Sequence, residues 1–300
     1  MDGFSEFESA VIDTGETSIF ARWAGDGPPV LLLHGFPQTH LMWRKVAPVL
    51  RRNFTVVCAD LRGYGASGCP PSTPDHAPYS KRAMARDMLA LMRSFGFRSF
   101  SVVGHDRGAR VAYRLALDHP SVIDRVAILD AIPILDAWER ADARLAMAFW
   151  PWSLLAQPAP MPERLVAAAP EAIIDDALGG GWGSPPEAFE ADVREAYVGA
   201  LRRSESVHAI CEEYRAAAST DPQHDDEDRS AGRRIPVPVF VLWSERGPLG
   251  TWYAEAGGPL AIWRDWADDV TGHALAGGHF FAEELPETTA RILGDFLAGR

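Results

Sequence analysis

Three short apolar runs, each followed closely by a glycine, constrain the fold of this chain more than any other feature. They span residues 29–33, 54–59 and 100–103 and read PVLLL, FTVVCA and FSVV. Strands with one face in water alternate apolar and polar residues, whereas strands buried on both faces are apolar almost throughout. The runs therefore predict parallel strands inside a sheet that is covered on both sides.

Helical patterns lie between and after these runs. Residues 81–95 and 107–118 carry apolar residues at helical spacing, and residues 127–130 and 237–243 predict two further strands. Alternation of strands and helices along the chain is typical of an open α/β sheet. We therefore predict an α/β fold with a mostly parallel central sheet.

The strand signal disappears between residues 136 and 234. This stretch is rich in Ala, Trp, Glu and Arg at helical spacing and is interrupted by prolines, which predicts an inserted helical cap. Ligands of open α/β sheets bind beyond the carboxyl ends of the strands, so we expect the cap to lie over that edge. The predicted organisation is a core of residues 1–135 and 235–300 with a helical cap of residues 136–234.

Two segments of the predicted cap carry patterns that need a separate interpretation. The segment ALGGGWGSPP at residues 177–186 lacks the GK[ST] ending of a phosphate loop, so we interpret it as a flexible turn. The acidic segment HDDEDR at residues 224–229 matches no calcium-loop spacing, which favours a solvent-exposed loop. We therefore expect no phosphate site in the first segment and no cation site in the second.

The composition excludes some classes of binding partner and indicates a cellular compartment. The formal net charge of −12 argues against nucleic acid and anionic membrane surfaces as partners. No apolar run reaches the roughly 20 residues of a membrane-spanning helix, and the segment MDGFSEFESAVIDTGE lacks the basic and apolar regions of a signal peptide. The three cysteines have no CxxC spacing, so neither disulfides nor a zinc site is expected. These features predict a cytoplasmic chain without a metal.

The segment GHDRG at residues 104–108 follows a predicted strand and precedes a predicted helix. This is the context of a nucleophile elbow, in which glycines allow a sharp turn that presents the central side chain. The central residue here is Asp106 rather than a serine. A carboxylate is already ionised and can displace a leaving group from saturated carbon, which gives an ester that water must hydrolyse. The alternative is that Asp106 only caps the following helix.

Hydrolysis of such an ester needs a base and an acid that orients the base. His279, in the glycine-rich segment LAGGHFFAEE, is the candidate base among the nine histidines. Asp130 ends one predicted strand and Glu245 follows another, and either could orient His279, although we favour Asp130. The backbone N–H groups of Phe36 and Arg107 are the expected oxyanion-hole donors.

Several segments together resemble the fluoroacetate dehalogenases of the α/β-hydrolase superfamily. They are LLLHGFPQTHLMW, DLRGYGAS, GHDRGARVAYRLALDHP, WSLLAQPAP, CEEYRA and GGHFFAEE. The resemblance implies an α/β-hydrolase fold, a homodimer, and hydrolysis of a haloacetate to glycolate and halide without a cofactor. It implies that Asp106 is the nucleophile and His279 the base, with Asp130 as its partner.

The resemblance also assigns substrate-binding residues. Arg107 and Arg110 would hold the substrate carboxylate, which gives a physical reason for two planar cations beside a nucleophile. Arg110 could instead form only a structural salt bridge. The family binds the departing halide with a His-Trp pair and a tyrosine, which here correspond to Pro151, Trp152 and Tyr214.

Proline at position 151 departs from the family pattern. It has no side-chain donor, so a hydrogen bond to the departing halide is missing unless Trp150 or a water replaces it. A hydrogen bond to a charged group contributes about 1.5–3 kcal/mol, and its loss slows most the substrate with the poorest leaving group. We therefore expect chloro- and bromoacetate to react more readily than fluoroacetate. Trp152 and Tyr214 could otherwise simply pack in the cap.

Two other functions fit parts of the same pattern. An epoxide hydrolase shares the aspartate and the histidine but needs cap tyrosines as acids, for which Tyr214 and Tyr197 are the candidates. A non-catalytic receptor for small acids would keep the fold, but the set of Asp106, Asp130 and His279 argues against it. The predicted partner is therefore a small anionic haloacid.

Overall fold

The computed structural model describes residues 3–300, so the first two residues of the predicted core segment 1–135 lie outside the described residues. The strands are β1 Glu8–Asp13, β2 Ser18–Ala24, β3 Pro29–Leu33, β4 Thr55–Ala59, β5 Phe100–His105, β6 Ile123–Leu129, β7 Val239–Ser244 and β8 Val270–Leu275. They form an eight-stranded sheet in the order β1-β2-β4-β3-β5-β6-β7-β8. Strand β2 is antiparallel to both of its neighbours in the sheet, β1 and β4. The other six strands, β4, β3, β5, β6, β7 and β8 in sheet order, are parallel, as predicted.

Helices lie on the sheet and between its strands along the chain. They are α1 Ala47–Leu50, α2 Lys81–Ser94, α3 Arg107–Asp118, α4 Ile134–Glu139, α5 Ala143–Ala148, α6 Trp150–Leu154, α7 Met161–Ala168, α8 Pro170–Asp176, α9 Ala191–Leu201, α10 Ser204–Ala217, α11 Thr220–Ser230, α12 Leu249–Trp252, α13 Gly258–Arg264, α14 Phe281–Glu284 and α15 Pro286–Leu297. A π-helical turn spans Ala177–Gly181. The inserted helices α4–α11 all lie between β6 and β7. Within residues 3–300, no helix has the length and apolar character needed to cross a membrane.

The sheet is covered on both faces because its central strands are apolar at almost every position. Along β3, Leu31 and Leu33 belong to the core that includes α2 and α3, whereas Val30 and Leu32 belong to the core that includes α1 and α15. All four side chains are buried. Burying one such side chain stabilises the folded state by about 1.5–3 kcal/mol. This two-sided packing explains why the predicted strand runs show no alternation.

The sequence missed the strands at and beside the sheet edges. The five predicted strands correspond to β3, β4, β5, β6 and β7. Strands β1 and β8 are mostly exposed or half-buried, and β2 alternates between buried and half-buried residues. These three strands include Glu, Ser, Arg, Thr or His, so they contain no continuous apolar run.

The acidic segment at residues 224–229 is part of a helix, so the prediction of a solvent-exposed loop was wrong. Its Asp225 and Asp228 are both buried on one face of α11. Arg114 of α3 forms ion pairs with both carboxylates, with 2.5 Å between Arg114 Nη2 and Asp225 Oδ1. The Tyr113 hydroxyl donates to Asp225 at 2.8 Å. Buried carboxylates persist here because a neighbouring helix supplies the cation and the donor.

The ionisation of Asp225 should make stability depend on pH. Burial raises the pKa of Asp225 to about 6, although Arg114 acts in the opposite direction. The pKa of an aspartate in the unfolded chain is about 3.9, so the carboxyl group has a higher pKa in the folded state than in the unfolded state. Such a group contributes its full stabilisation below the unfolded-state pKa. This stabilisation is lost as the pH rises through the folded-state pKa. Relative to Asp225→Asn, the free energy of unfolding of the native chain should fall by up to about 3 kcal/mol between about pH 4 and pH 7. Urea unfolding at the two pH values measures this change.

Asp226→Asn is the matched control, because the Asp226 side chain is 62% exposed on the same helix. Its unfolding free energy should follow the native pH profile. Identical pH profiles for the native chain and Asp225→Asn would show that the buried carboxyl does not titrate as assigned.

Candidate active site

The carboxyl ends of the central strands bring the predicted catalytic residues together. Asp106 follows β5, Asp130 follows β6, and His279 lies in the loop after β8. All three side chains are buried. Because the carboxyl ends of parallel strands meet at one edge of a sheet, residues far apart in sequence converge there.

Asp106 occupies a strained turn between β5 and α3. Its φ of 45° lies in the left-handed region, which a non-glycine residue adopts at an energetic cost. Gly108 permits the close approach of α3 to β3, because a Cβ at this position would lie 2.5 Å from the His34 carbonyl oxygen. The Asp106 side chain makes no capping hydrogen bond to α3, so helix capping does not explain this aspartate.

Two donors hold the Asp106 carboxylate. The Phe36 N–H donates to Oδ2 at 3.1 Å, and Arg110 Nη1 donates to Oδ1 at 2.8 Å. Burial acts to raise the pKa of Asp106, but the charges of Arg110, His279 and Arg107 outweigh burial and lower the pKa to about 2. The second expected oxyanion donor, the Arg107 N–H, begins α3 and makes no hydrogen bond to this carboxylate. The candidate nucleophile is therefore ionised at neutral pH.

His279 is oriented by Asp130 rather than by Glu245. Its Nδ1 lies 2.5 Å from Asp130 Oδ2, and the Ser244 N–H donates to Asp130 Oδ1 at 2.9 Å. Glu245 is exposed to solvent and does not contact His279. The His279 Nε2 is buried, has no hydrogen-bond partner within residues 3–300, and belongs to a ring that lines the same cavity as Asp106. An imidazole held in this way can accept a proton from a water in the cavity.

The segment at residues 177–186 begins with a π-helical turn and contacts the loop that carries His279. The His279 N–H donates to the Trp182 carbonyl oxygen at 2.8 Å, and the Phe280 N–H donates to Ser184 Oγ at 2.9 Å. The rings of Trp182 and His279 pack edge to face with 5.4 Å between their centroids. A large aromatic residue in a glycine-rich segment was the signal for this ordered contact.

The two arginines beside Asp106 have different partners. Arg107 is fully buried and binds Glu213 of α10, with 2.7 Å from Nε and 2.5 Å from Nη2 to Oε1. Arg110 forms its ion pair with Asp106 itself. The ion pair that Arg110 forms therefore has the candidate nucleophile as its partner. Glu213 is not among the residues predicted from the sequence, although it directly precedes Tyr214 in the segment CEEYRA.

A small cavity lies beside Asp106 and His279 at the edge of the sheet. Its lining residues are Asp106, Phe149, Pro151, Trp152, Trp182, Tyr214 and His279, and neither Arg107 nor Arg110 is among them. Burial raises the pKa of Tyr214 well above its usual value, so the hydroxyl keeps its proton. Within residues 3–300, neither the Tyr214 hydroxyl nor the Trp152 indole N–H has a hydrogen-bond partner. Both groups can therefore donate to an anion in the cavity.

Position 151 brings no donor to the cavity, and its neighbour does not compensate. Pro151 lies in the first turn of α6 and lines the cavity. The Trp150 indole N–H donates to Asp176 at 2.6 Å, outside the cavity lining, so Trp150 does not replace the family histidine. Phe149 and Trp182, which the sequence analysis did not identify, complete the cavity wall.

The charge of Arg110 should control the ionisation of Asp106. Between about pH 4 and pH 8, the Asp106 carboxyl carbon of the native chain should show no titration by ¹³C NMR, because its pKa is about 2. Arg110→Gln removes the strongest attractive charge while the burial stays, so the pKa should rise toward the usual aspartate value of about 3.9. The onset of titration near the lower pH limit would reveal this rise. Arg98→Gln, at an exposed position, is the control and should leave the signal unchanged.

The chain matches known proteins over nearly its whole length. The family model for the alpha/beta hydrolase fold matches residues 28–257. A fluoroacetate dehalogenase of Burkholderia sp. is 41% identical over 98% of this chain and 95% of the relative. The structure of ALR0039 from Nostoc sp. PCC 7120 is 46% identical, with a TM-score of 0.94 over 98% of this chain and 99% of that chain. A mutant of a Pseudomonas aeruginosa epoxide hydrolase candidate, solved with bound MFA, is 44% identical, with a TM-score of 0.90 over 98% and 97% of the two chains.

These matches confirm the predicted α/β-hydrolase fold. Identity at this level over nearly the full length of both chains establishes the family as well as the fold. The chain belongs to the fluoroacetate dehalogenase family of the α/β-hydrolase superfamily, a family of hydrolases that act on carbon–halogen bonds.

Proposed function

We propose that this chain hydrolyses short 2-halo carboxylic acids, so that a haloacetate and water give glycolate and halide. The observation that carries the proposal is an ionised Asp106 that Arg110 contacts at 2.8 Å, in a cavity that His279 also lines. A carboxylate can attack saturated carbon, and guanidinium groups beside it match the carboxylate of a haloacid. The fluoroacetate dehalogenase of Burkholderia sp. supports the same chemistry.

In the first step, Asp106 Oδ1 attacks the substrate α-carbon. Oδ1 is the attacking atom because Oδ2 accepts the Phe36 N–H. The carbon–halogen bond breaks, and its electron pair leaves with the halide. The Trp152 indole N–H and the Tyr214 hydroxyl stabilise the halide as its charge develops. The product of this step is an ester between Asp106 and the acid.

In the second step, water hydrolyses the ester. His279 Nε2 accepts a proton from the water as its oxygen attacks Cγ of Asp106, and Asp130 stabilises the imidazolium that forms. The N–H groups of Phe36 and Arg107 stabilise the negative charge on Oδ2. The bond between Cγ and Oδ1 then breaks, so the 2-hydroxy acid leaves with Oδ1 and takes up a proton. The water oxygen becomes the new carboxylate oxygen of Asp106.

Epoxide hydrolysis is the alternative that the Pseudomonas aeruginosa relative suggests. Opening an epoxide by this mechanism needs tyrosine hydroxyls that protonate the leaving oxygen. Tyr214 lines the cavity, but the Tyr197 hydroxyl donates to Glu283 at 2.8 Å and Tyr197 is not part of the cavity lining. The pair of arginines at the nucleophile also has no role with a neutral epoxide, so dehalogenation of an acid is favoured.

Three further predictions accompany the proposed activity. We propose that residues 136–234 act as a cap on a core formed by residues 1–135 and 235–300, that the protein is a homodimer, and that it is cytoplasmic. The dimer follows from the family resemblance. The cytoplasmic location is supported by three unpaired cysteines, Cys58, Cys69 and Cys211.

Halide release from chloroacetate, bromoacetate and fluoroacetate tests the proposed function. The purified chain should release chloride and bromide faster than fluoride, because fluoride is the poorest leaving group and the cavity offers it no donor at position 151. An ion-selective electrode and ion chromatography measure the three rates. Asp106→Asn should abolish release from all three acids. Fastest release from fluoroacetate would contradict the halide preference, and no release from any of them would contradict the activity.

Pro151→His should restore the missing donor. We expect turnover of fluoroacetate to rise about ten- to hundredfold relative to turnover of chloroacetate, because a hydrogen bond to a charged group is worth most for the poorest leaving group. The ratio of the two turnover rates is the measurement. Pro158→His, at an exposed position in the loop between α6 and α7, is the control and should leave the ratio unchanged. An unchanged ratio in Pro151→His would show that position 151 does not set the halide preference.

A further inference from the structure

Arg107 is a fixed cation. Its partner Glu213 is fully buried and also forms an ion pair with Lys81 of α2, so one carboxylate joins α2, α3 and α10. Burial acts to raise the pKa of Glu213, but the charges of Arg107 and Lys81 outweigh it and lower the pKa, so Glu213 stays ionised. Moving Arg107 would break a buried charge network, which is strongly unfavourable.

Arg110 has no comparable anchor. Within residues 3–300 its one ion pair is with Asp106, at 2.8 Å. Its Nε is buried and has no hydrogen-bond partner in the described chain. The guanidinium lies over the Trp152 ring, 4.7 Å from the ring centre, beside the cavity wall. A guanidinium with an unused donor and a partly satisfied charge can bind a second anion.

The bond from Arg110 falls on the oxygen that must attack. The Phe36 N–H occupies Oδ2, so Oδ1 is the attacking atom, and Arg110 donates to Oδ1. The bond stabilises the full negative charge of the free carboxylate. During attack this charge moves to the halide, so the bond is stronger before the transition state than in it, which slows the reaction.

We propose that Arg110 restrains the nucleophile until the substrate carboxylate draws the guanidinium away from Asp106 Oδ1. The inference rests on the proposed function and adds that the substrate carboxylate activates the attack as well as binding the acid. Arg110 is the cation that responds, because the ion pair with Glu213 holds Arg107 in place. An uncharged organic halide of the same size leaves the contact between Arg110 and Asp106 Oδ1 in place. Such a compound therefore reacts slowly even when it fits the cavity.

Chloroacetate and its neutral isostere chloroacetamide separate the two roles. In a His279→Ala background the ester cannot be hydrolysed by the proposed base, so the rate of Asp106 alkylation can be followed by intact-protein mass spectrometry. Peptide mapping places the added group, and Asp106→Asn in the same background measures alkylation elsewhere, such as at Cys69. Circular dichroism and thermal unfolding check that each variant is folded.

Arg110→Gln should have opposite effects on the two reagents. Alkylation by chloroacetate should slow at least about tenfold, because the carboxylate loses its partner, whereas alkylation by chloroacetamide should accelerate about tenfold as the restraint is removed. Arg110→Lys keeps the charge near Oδ1, so chloroacetamide should react as slowly as it does with arginine. A crossover of this kind is not expected from a residue that only supports the fold.

Two results would overturn the inference while leaving the proposed function intact. They are a slowing of both reagents in Arg110→Gln, and a chloroacetamide rate that Arg110→Gln leaves unchanged. An acceleration with chloroacetamide in Arg110→Lys would equally contradict a restraint by charge. If chloroacetate does not alkylate Asp106 when Arg110 is present, the proposed function itself fails.

Discussion

A buried carboxylate needs nearby positive charge or N–H donors, and this requirement organises much of the molecule. At the elbow, Asp106 obtains a backbone donor from the turn after β3 and a cation from one turn along its own helix. On the same helix, α3, Arg114 forms ion pairs with Asp225 and Asp228 of α11. The inserted helices are therefore attached to α3 by the same kind of pairing that keeps the nucleophile ionised.

The sequence was sufficient to predict where the residues that follow the buried strands lie. Asp106 and Asp130 could be placed because continuous apolar runs mark β5 and β6, and parallel strands deliver their last residues to one edge. His279 was identified by its glycine-rich segment and its place near the end of the chain. The two acid candidates for His279 could not be separated by pattern, because Asp130 and Glu245 both follow predicted strands; the structure separates them by burial and distance.

The contacts between the inserted helices and the sheet could not be predicted. Glu213 and Trp182 have positions that depend on how α10 and residues 177–186 pack on distant parts of the chain, and no local periodicity encodes those contacts. The acidic residues of α11 were misjudged for a related reason. Their charge predicts exposure to solvent, whereas their spacing at positions 221, 225 and 228 places them on one buried face of a helix.

The loop that carries His279 is attached to the segment inserted between β6 and β7. The His279 backbone N–H is held by the Trp182 carbonyl, and the next N–H is held by Ser184, both from that segment. The position of the base therefore depends on the inserted segment as well as on Asp130, so a shift of residues 177–186 would move the imidazole relative to Asp106.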